Sequence, residues 1–463
     1  MARNRMSNAD AAWLHMDRAS NLMIINAVMW FDEPVDWLRL RELLTERLID
    51  PYPRFRQRPD DRRTPVGALY WQDVPDFDLE EHLVHVRLPA PGDQAALHRY
   101  ISDQLSHPLD HDRPLWQAHF IDGYEGGAAV YTRIHHAVAD GVSLVRLLLS
   151  LTDDEPETPL FDALELSEPA GLVRRAKQVV AEAAQTTGHL VHEGFEVLTH
   201  PSRVIDLVQF AFRGTRAVGK TLLTPPDYRT VLKGRMGPAK QALWSTPVPL
   251  ADVKAIGRQA GATVNDVLCA AVTGALHRYL DDHDDLVPDL RAFVPFNLRP
   301  LDEPIPRELG NRFGIVFLSL PVGERDRAAR LAEVKRRMDA IKASPEGVVG
   351  YGVLTVTGMT PVQIERVIVD VFGAKGSLVL TNVAGPKQDV FLAGTRLAGF
   401  MGWVPATGGI ALGISIFSYC GQVTVGIYAD ATLVPDPEAL VAAFDDEIAA
   451  MLATDLSGVV EPV

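Results

Sequence analysis

The sequence predicts a two-domain α/β protein with mixed sheets flanked by helices, and three observations carry that reading. Strand-like segments interleave with helix-like segments on both sides of the middle of the chain; the middle itself is basic, Ala-rich and helix-compatible; and the last third holds an uncharged, β-rich run. At 463 residues, 47% hydrophobic and 23% charged, the chain is long enough for two large domains and has an ordinary globular balance.

Residues 1–165 make the first domain. GGAAVYTRIHH (126–136) reads as a strand, and GVSLVRLLLSL (141–151) as an amphipathic helix. Residues 166–240 make the connector: LVRRAKQVVAEAAQTTGHLVHEGFEVL is mostly helix-compatible, and TPPDYRTVLKGRMGP closes it with turn residues. From Gly171 to Lys240 there are eleven Lys or Arg against five Asp or Glu, in a chain whose net charge is −15. Residues 241–463 make the second domain. LADVKAIGRQAGATVNDVLCAAVTGALHRYL is two helices, while RAFVPFNL, FGIVFLSLPV and GSLVLTNV are strands. Leu397 to Ala429 carries no charge and is long enough to cross a bilayer, but it holds seven glycines and Pro405. Its GISIFSY and VTVGIYA runs flank a short CGQ turn, so it reads as a buried hairpin.

Charge and composition exclude several functions. A net −15 argues against nucleic acid as a partner, because neutralising phosphates needs a basic surface. Cys269 and Cys420 are too few for a disulfide scaffold or a four-thiolate metal site, and they fit a reducing compartment. Asp10 and Asp17 interrupt the apolar stretch that a signal peptide needs, so the expected location is cytoplasmic.

The chemistry points to Arg133-Ile134-His135-His136-Ala137-Val138-Ala139-Asp140-Gly141. The strand ends at the two histidines, and Asp140 is a good N-cap for the following helix. Neighbouring strand residues face opposite sides, so only one of His135 and His136 can face a given cavity. An imidazole near its ordinary pKa can take a proton from an alcohol and pass it to a leaving group, which suits acyl transfer. The plain alternative is a helix cap beside core histidines; an HHxxxDG spacing at a strand end favours function.

On these residues the sequence resembles the HHxxxDG CoA-dependent acyltransferases, and within them the bacterial wax ester synthase/acyl-CoA:diacylglycerol acyltransferases. Further blocks follow in the expected order over nearly the whole chain. They are Asp10-Ala11-Ala12-Trp13-Leu14, Asn21-Leu22-Met23, Pro53 to Arg58, Asp76 to Leu79, Pro108-Leu109-Asp110, Arg113-Pro114-Leu115-Trp116, Asn265-Asp266 and Asn382-Val383-Ala384-Gly385-Pro386.

The resemblance implies two chloramphenicol-acetyltransferase-like domains with an active-site tunnel between them. It also implies transfer of a fatty acyl group from acyl-CoA to diacylglycerol or a long-chain alcohol, without an acyl-enzyme and with no tightly bound cofactor. It makes His136 the general base, His135 a supporting residue and Asp140 structural, with Arg299 as a structural partner. Asn265 matches a polar residue beside the acyl carbonyl, where an amide N–H stabilises an oxyanion; its plain alternative is a helix-start amide. Gly141, Trp116, Asp266 and Asn382 join the expected substrate contacts, although a Trp after Pro-Leu more often anchors a core.

The sequence departs from the family at Ile24 after Met23, at Ala384 and at Cys420, which bears on acceptor choice. Because the acceptors are lipids, the basic connector is expected to touch a membrane or lipid-droplet surface from the cytoplasmic side. Two other functions share the motif: an acyltransferase using a carrier-protein thioester, and an inactive lipid-binding homologue.

Other motifs carry less. His107 and His111 with Asp110 and Asp112 lie in a Pro-bounded loop that is poorly shaped for a shared ion, so no metal is expected. Neither G-x-S-x-G nor G-x-G-x-x-G occurs. Gly214 to Thr221 matches a phosphate-loop pattern, but Pro225-Pro226 stops the helix that such a loop requires.

Overall fold

A computed structural model describes residues 3–60, 69–152, 224–297, 305–311, 313–342, 369–405 and 408–456. Most of the predicted connector, the Gly214–Thr221 motif and Arg299 lie outside the described residues.

The first half runs β1 (Arg3–Arg5), α1 (Asn8–Met16), β2 (Ile24–Phe31), α2 (Trp37–Leu44), β3 (Gln57–Asp60), β4 (Tyr70–Asp73), β5 (Leu83–Arg87), α3 (Gln94–Gln104), β6 (Trp116–Tyr124), β7 (Gly127–His135) and α4 (Gly141–Leu149). The second runs β8 (Lys240–Trp244), β9 (Val248–Pro249), α5 (Leu250–Ala260), α6 (Val264–Asp282), β10 (Leu290–Asn297), β11 (Phe313–Leu320), α7 (Arg327–Lys342), β12 (Leu378–Ala384), β13 (Phe391–Leu392), β14 (Thr395–Arg396), β15 (Gly399–Trp403), β16 (Leu412–Tyr419), β17 (Gln422–Asp430) and α8 (Pro437–Ala453).

Both large sheets are mixed. The first has the order β15-β2-β7-β6-β5, with β5 and β6 parallel and the other pairs antiparallel. The second has the order β11-β10-β12-β16-β17-β8, with parallel pairs at β10/β12 and β12/β16. The two helices expected over 250–280 are α5 and α6, and Gly261 between them takes φ 64°, the left-handed turn that ends a helix.

The hairpin expected near the end is β16 and β17, turning at Cys420-Gly421, and nearly every residue in it is buried. The start of the same uncharged run behaves differently. β15 leaves the second half and pairs with β2, Gly402 opposite Ala27 and Trp403 opposite Asn26, so a late strand completes the early sheet. Gly399 permits this, because a Cβ there would fall 2.3 Å from the Trp30 ring.

Two large apolar cores form among the described residues. One gathers Val28, Phe120, Tyr131, Leu147 and Met401 around the first sheet, and the other gathers Val267, Leu276, Leu318, Leu378 and Phe444 around the second. No helix among the described residues is long and apolar enough to cross a membrane.

Candidate active site

Strand alternation places the two histidines. Thr132, Ile134 and His136 fall on one side of β7 and its continuation, and all three line a cleft between the sheets; His135 falls on the other side and is fully buried. The cleft holds about 1490 Å³ of empty space, its open mouth included. Gly141, Leu144, Val145 and Leu148 line it from one face of α4, the i, i+3, i+4, i+7 set of a helix. The second sheet contributes Phe293, Ile315, Thr381, Asn382 and Phe417, and β15 contributes Trp403. The wall is therefore mostly apolar, with a short polar strip on β12.

The loop carrying His136 is pinned at each end. Its backbone N–H donates to Met23 O at 2.7 Å, and Asp140 caps α4 by accepting from Ser143 N at 2.8 Å. A backbone bridge joins Ala139 to Gly310, and Gly310 N donates to Val138 O. Gly310 has φ 91°, a conformation that disfavours side chains, so glycine is needed there.

Next to Gly310, Asn311 is buried and holds the ring of His136. Asn311 Nδ2 donates to Asp10 Oδ1 and to the carbonyl of His136, both at 2.8 Å. Both partners only accept, so this end of the amide is the NH2. Its Oδ1, 2.9 Å from His136 Nδ1, must accept, which puts the ring proton on Nδ1 and leaves Nε2 with a lone pair. Nε2 has no hydrogen-bond partner among the described residues. Trp13 lies flat against the ring, with centroids 3.8 Å apart at 11°, and Phe313 closes it at 5.7 Å. Burial lowers the pKa of His136 to about 4, against small opposing effects from its own backbone, Asp140 and Asn311. The ring is therefore neutral at ordinary pH.

His135 sits in a separate cluster. Its Nδ1 accepts from Ala137 N at 3.0 Å, and its Nε2 lies 3.6 Å from Asp17 Oδ2, as His111 Nε2 does at 3.5 Å. Burial works to raise the pKa of Asp17, but hydrogen bonds from His111 and His135 outweigh it and hold the carboxylate below its usual range. His111 thus meets Asp17 and His135, whereas the Nδ1 of His107 contacts Asp103 O. The three groups are close enough to share an ion. However, with Nδ1 accepting a backbone N–H, the neutral His135 carries its proton on Nε2, where a metal would have to bind.

The structure disperses the other expected residues. Gly141 and Asn382 line the cleft, and Asn382 Nδ2 donates to Asn265 Oδ1 at 2.7 Å, so Asn265 stands behind it. Asp266 is fully buried and closes a capping box with Thr263 at the start of α6, so it does not line the cleft. Trp116 does not line it either: its Nε1 donates to Phe55 O at 2.9 Å and its ring stacks on His82, which makes it a core anchor. Substrate contact is thereby corrected for Trp116 and Asp266, since Trp116 is packed as a core anchor and the Asp266 carboxylate is buried at the start of α6, away from the cleft lining. Sequence reasoning missed Asn311 and gave Asp10 and Trp13 no role. The available signal was Gly310-Asn311 directly before an apolar strand.

The catalytic-domain model of the wax ester synthase/diacylglycerol acyltransferase family matches residues 6–268, and the family's C-terminal domain model matches residues 309–452. A probable diacylglycerol O-acyltransferase of Mycobacterium tuberculosis is 28% identical over 461 residues, covering 97% of this chain and 96% of the relative. A second of that name and organism is 27% identical over 455 residues, covering 94% of each. Among solved structures, the wax ester synthase/diacylglycerol acyltransferase from Marinobacter aquaeolei superposes with a TM-score of 0.66 at 21% identity, covering 97% of this chain and 98% of that one. The first condensation domain of the calcium-dependent antibiotic synthetase gives 0.59 at 17% identity, covering 99% and 98%. At such identities, the structural likeness speaks for the fold.

Proposed function

The chain belongs to the wax ester synthase/diacylglycerol acyltransferase family and is an acyl-CoA-dependent O-acyltransferase; from that premise we propose that His136 acts as its general base on the hydroxyl of diacylglycerol or a long-chain alcohol. The observation that carries this reading is the ring of His136 in the apolar cleft, its Nδ1 engaged by Asn311 and its Nε2 left with a lone pair.

Nε2 takes the hydroxyl proton as the oxygen attacks the thioester carbonyl. The tetrahedral intermediate collapses with loss of the C–S bond, and the imidazolium returns the proton to the CoA thiolate. Attack is direct, so no acyl-enzyme forms. Asn265 Oδ1 is occupied by Asn382 and faces the Cys269 thiol, so Asn265 orients the Asn382 amide from behind the cleft wall. Asn382 Oδ1 is buried without a partner among the described residues and is available to accept from a substrate donor.

The test is a purified-enzyme assay with palmitoyl-CoA, comparing dioleoylglycerol with hexadecanol as acceptor. His136→Ala is expected to lower kcat by about 10³-fold with either acceptor. A variant that keeps wild-type turnover rejects the base assignment. With labelled palmitoyl-CoA and no acceptor, label retained on the denatured protein would count against direct attack.

The acceptors dissolve in lipid, which supports a working position at a membrane or lipid-inclusion surface. Co-sedimentation with anionic liposomes at low salt, reversed by high salt, is the expected behaviour. Protein that stays in the supernatant under both conditions argues for a lipid-independent location.

A further inference from the structure

Two polar residues, neither of which lines the cleft, decide which nitrogen of His136 carries its proton. Asn311 accepts from Nδ1, and Asp10 fixes the direction of the Asn311 amide by accepting from both its backbone N–H at 3.1 Å and its Nδ2 at 2.8 Å. The His136 carbonyl accepts from the same Nδ2, so the amide cannot turn over without setting N–H against N–H on one side and oxygen against oxygen on the other.

Asp10 and Asn311 are 301 residues apart. One comes from α1 and the other from the segment that enters β11, and the Ala139–Gly310 bridge docks that segment on the histidine loop. All three side chains are buried, at 3%, 5% and 5% exposure for Asp10, Asn311 and His136, so water is a poor substitute for any of these bonds.

We propose that Asn311 is the positioning residue that holds His136 in its Nδ1–H tautomer, and that Asp10 is the residue that orients Asn311. This rests on His136 being the base. It goes further by making the base correct only when the two halves are docked, since one supplies the histidine and its aspartate and the other the amide. Without Asn311 only the hydrogen bond to its own backbone favours Nδ1–H, and the ring gains access to the tautomer with its proton on Nε2, where it cannot accept one from the hydroxyl.

The test uses the full chain carrying Asn311→Ala, Asn311→Asp or Asp10→Ala, with melting measured for each. Asn311→Ala and Asp10→Ala are expected to lower kcat by about 10²- to 10³-fold while KM for palmitoyl-CoA stays within about threefold, the split expected when the base is misset rather than binding lost. Asn311→Asp keeps an oxygen facing Nδ1, because two adjoining buried carboxyls share one proton, and it is expected to recover activity to within about tenfold of wild type.

Nitrogen-15 spectra of histidine-labelled protein, with His136 assigned by its loss in His136→Ala, read the tautomer directly. They are expected to show Nδ1–H in wild type and Asn311→Asp, and a mixed or Nε2–H ring in Asn311→Ala and Asp10→Ala. Wild-type kcat in both alanine variants, or a wild-type tautomer in them, overturns the proposal. If the alanine variants do not fold, Asn311→Asp decides alone: activity with the Nδ1–H tautomer supports the assignment, and an Nε2–H ring at undiminished kcat overturns it. Inactive His136→Ala beside fully active Asn311→Ala removes the positioning role and keeps the base; active His136→Ala removes the base itself.

Discussion

Trp13 lies face to face with His136, and that contact matters most when the ring is charged. A neutral imidazole stacked on an indole gains ordinary dispersion, whereas an imidazolium over the same face also gains attraction to the π electrons. The charge appears only during proton transfer, in a cleft walled mostly by apolar side chains, so the stack favours the transition state over the resting enzyme. Trp13→Leu keeps an apolar side chain and removes the π face. It is expected to lower kcat about three- to tenfold, the equivalent of about 1 kcal/mol. Steady-state kinetics at pH 7 checks this, and an unchanged kcat with a raised KM would show Trp13 to be a binding wall instead. Asp10 and Trp13 lie three apart on α1, so a single helical face serves both the amide that holds the ring edge and the indole that covers its plane.

Among the elements, β7, its loop and α4 were the most legible. Each uses local chemistry: period-two alternation that separates His136 from His135, an aspartate at the helix start, and a Leu and Val stripe at helical spacing. The helices over 250–280 and the β16–β17 hairpin were legible for the same reason, with Thr263 and Gly261 marking the helix boundary. What escaped depends on partners distant in sequence. Nothing around Gly399 to Trp403 says that this strand pairs with β2 rather than with its own neighbours; the choice is made by Trp30 finding Gly399 across the sheet. Asn311 escaped because its meaning lies in Asp10. Trp116 and Asp266 look functional as letters in short motifs, but the Trp116 indole is held by Phe55 O and Asp266 Oδ2 and N are taken up by the Thr263 cap, both away from the cleft.

At the scale of the molecule, the β15 exchange and the Asp10–Asn311 contact tie the halves together, so their stability responds to pH as one. His82, His119, His135 and His136 are at most 5% exposed, and burial lowers the pKa of each, to about 3 for His119 and about 4 for His136. In the unfolded chain each titrates near its ordinary value, about 6.5. Between these limits the unfolded state binds more protons, so the stability contributed by a neutral buried ring is complete above the unfolded value and is lost as pH falls toward the folded one. The slope is about 1.4 kcal/mol per pH unit for each proton. Asp10 acts oppositely, because burial raises its pKa and lets the folded state take a proton first, but it is one group against four buried rings. Urea midpoints are therefore expected to fall between pH 7 and pH 5. His119 lies outside the cleft, with its Nδ1 2.6 Å from the Tyr100 hydroxyl. His119→Gln removes one such titration, and its stability is expected to depend less steeply on pH by about that one-proton slope, with kcat at pH 7 unchanged. An unaltered slope in this variant would show that the acid loss comes from other groups. The same comparison separates two causes of inactivation in acid: unfolding is eased by His119→Gln, whereas protonation of His136 removes turnover near pH 4 in both proteins.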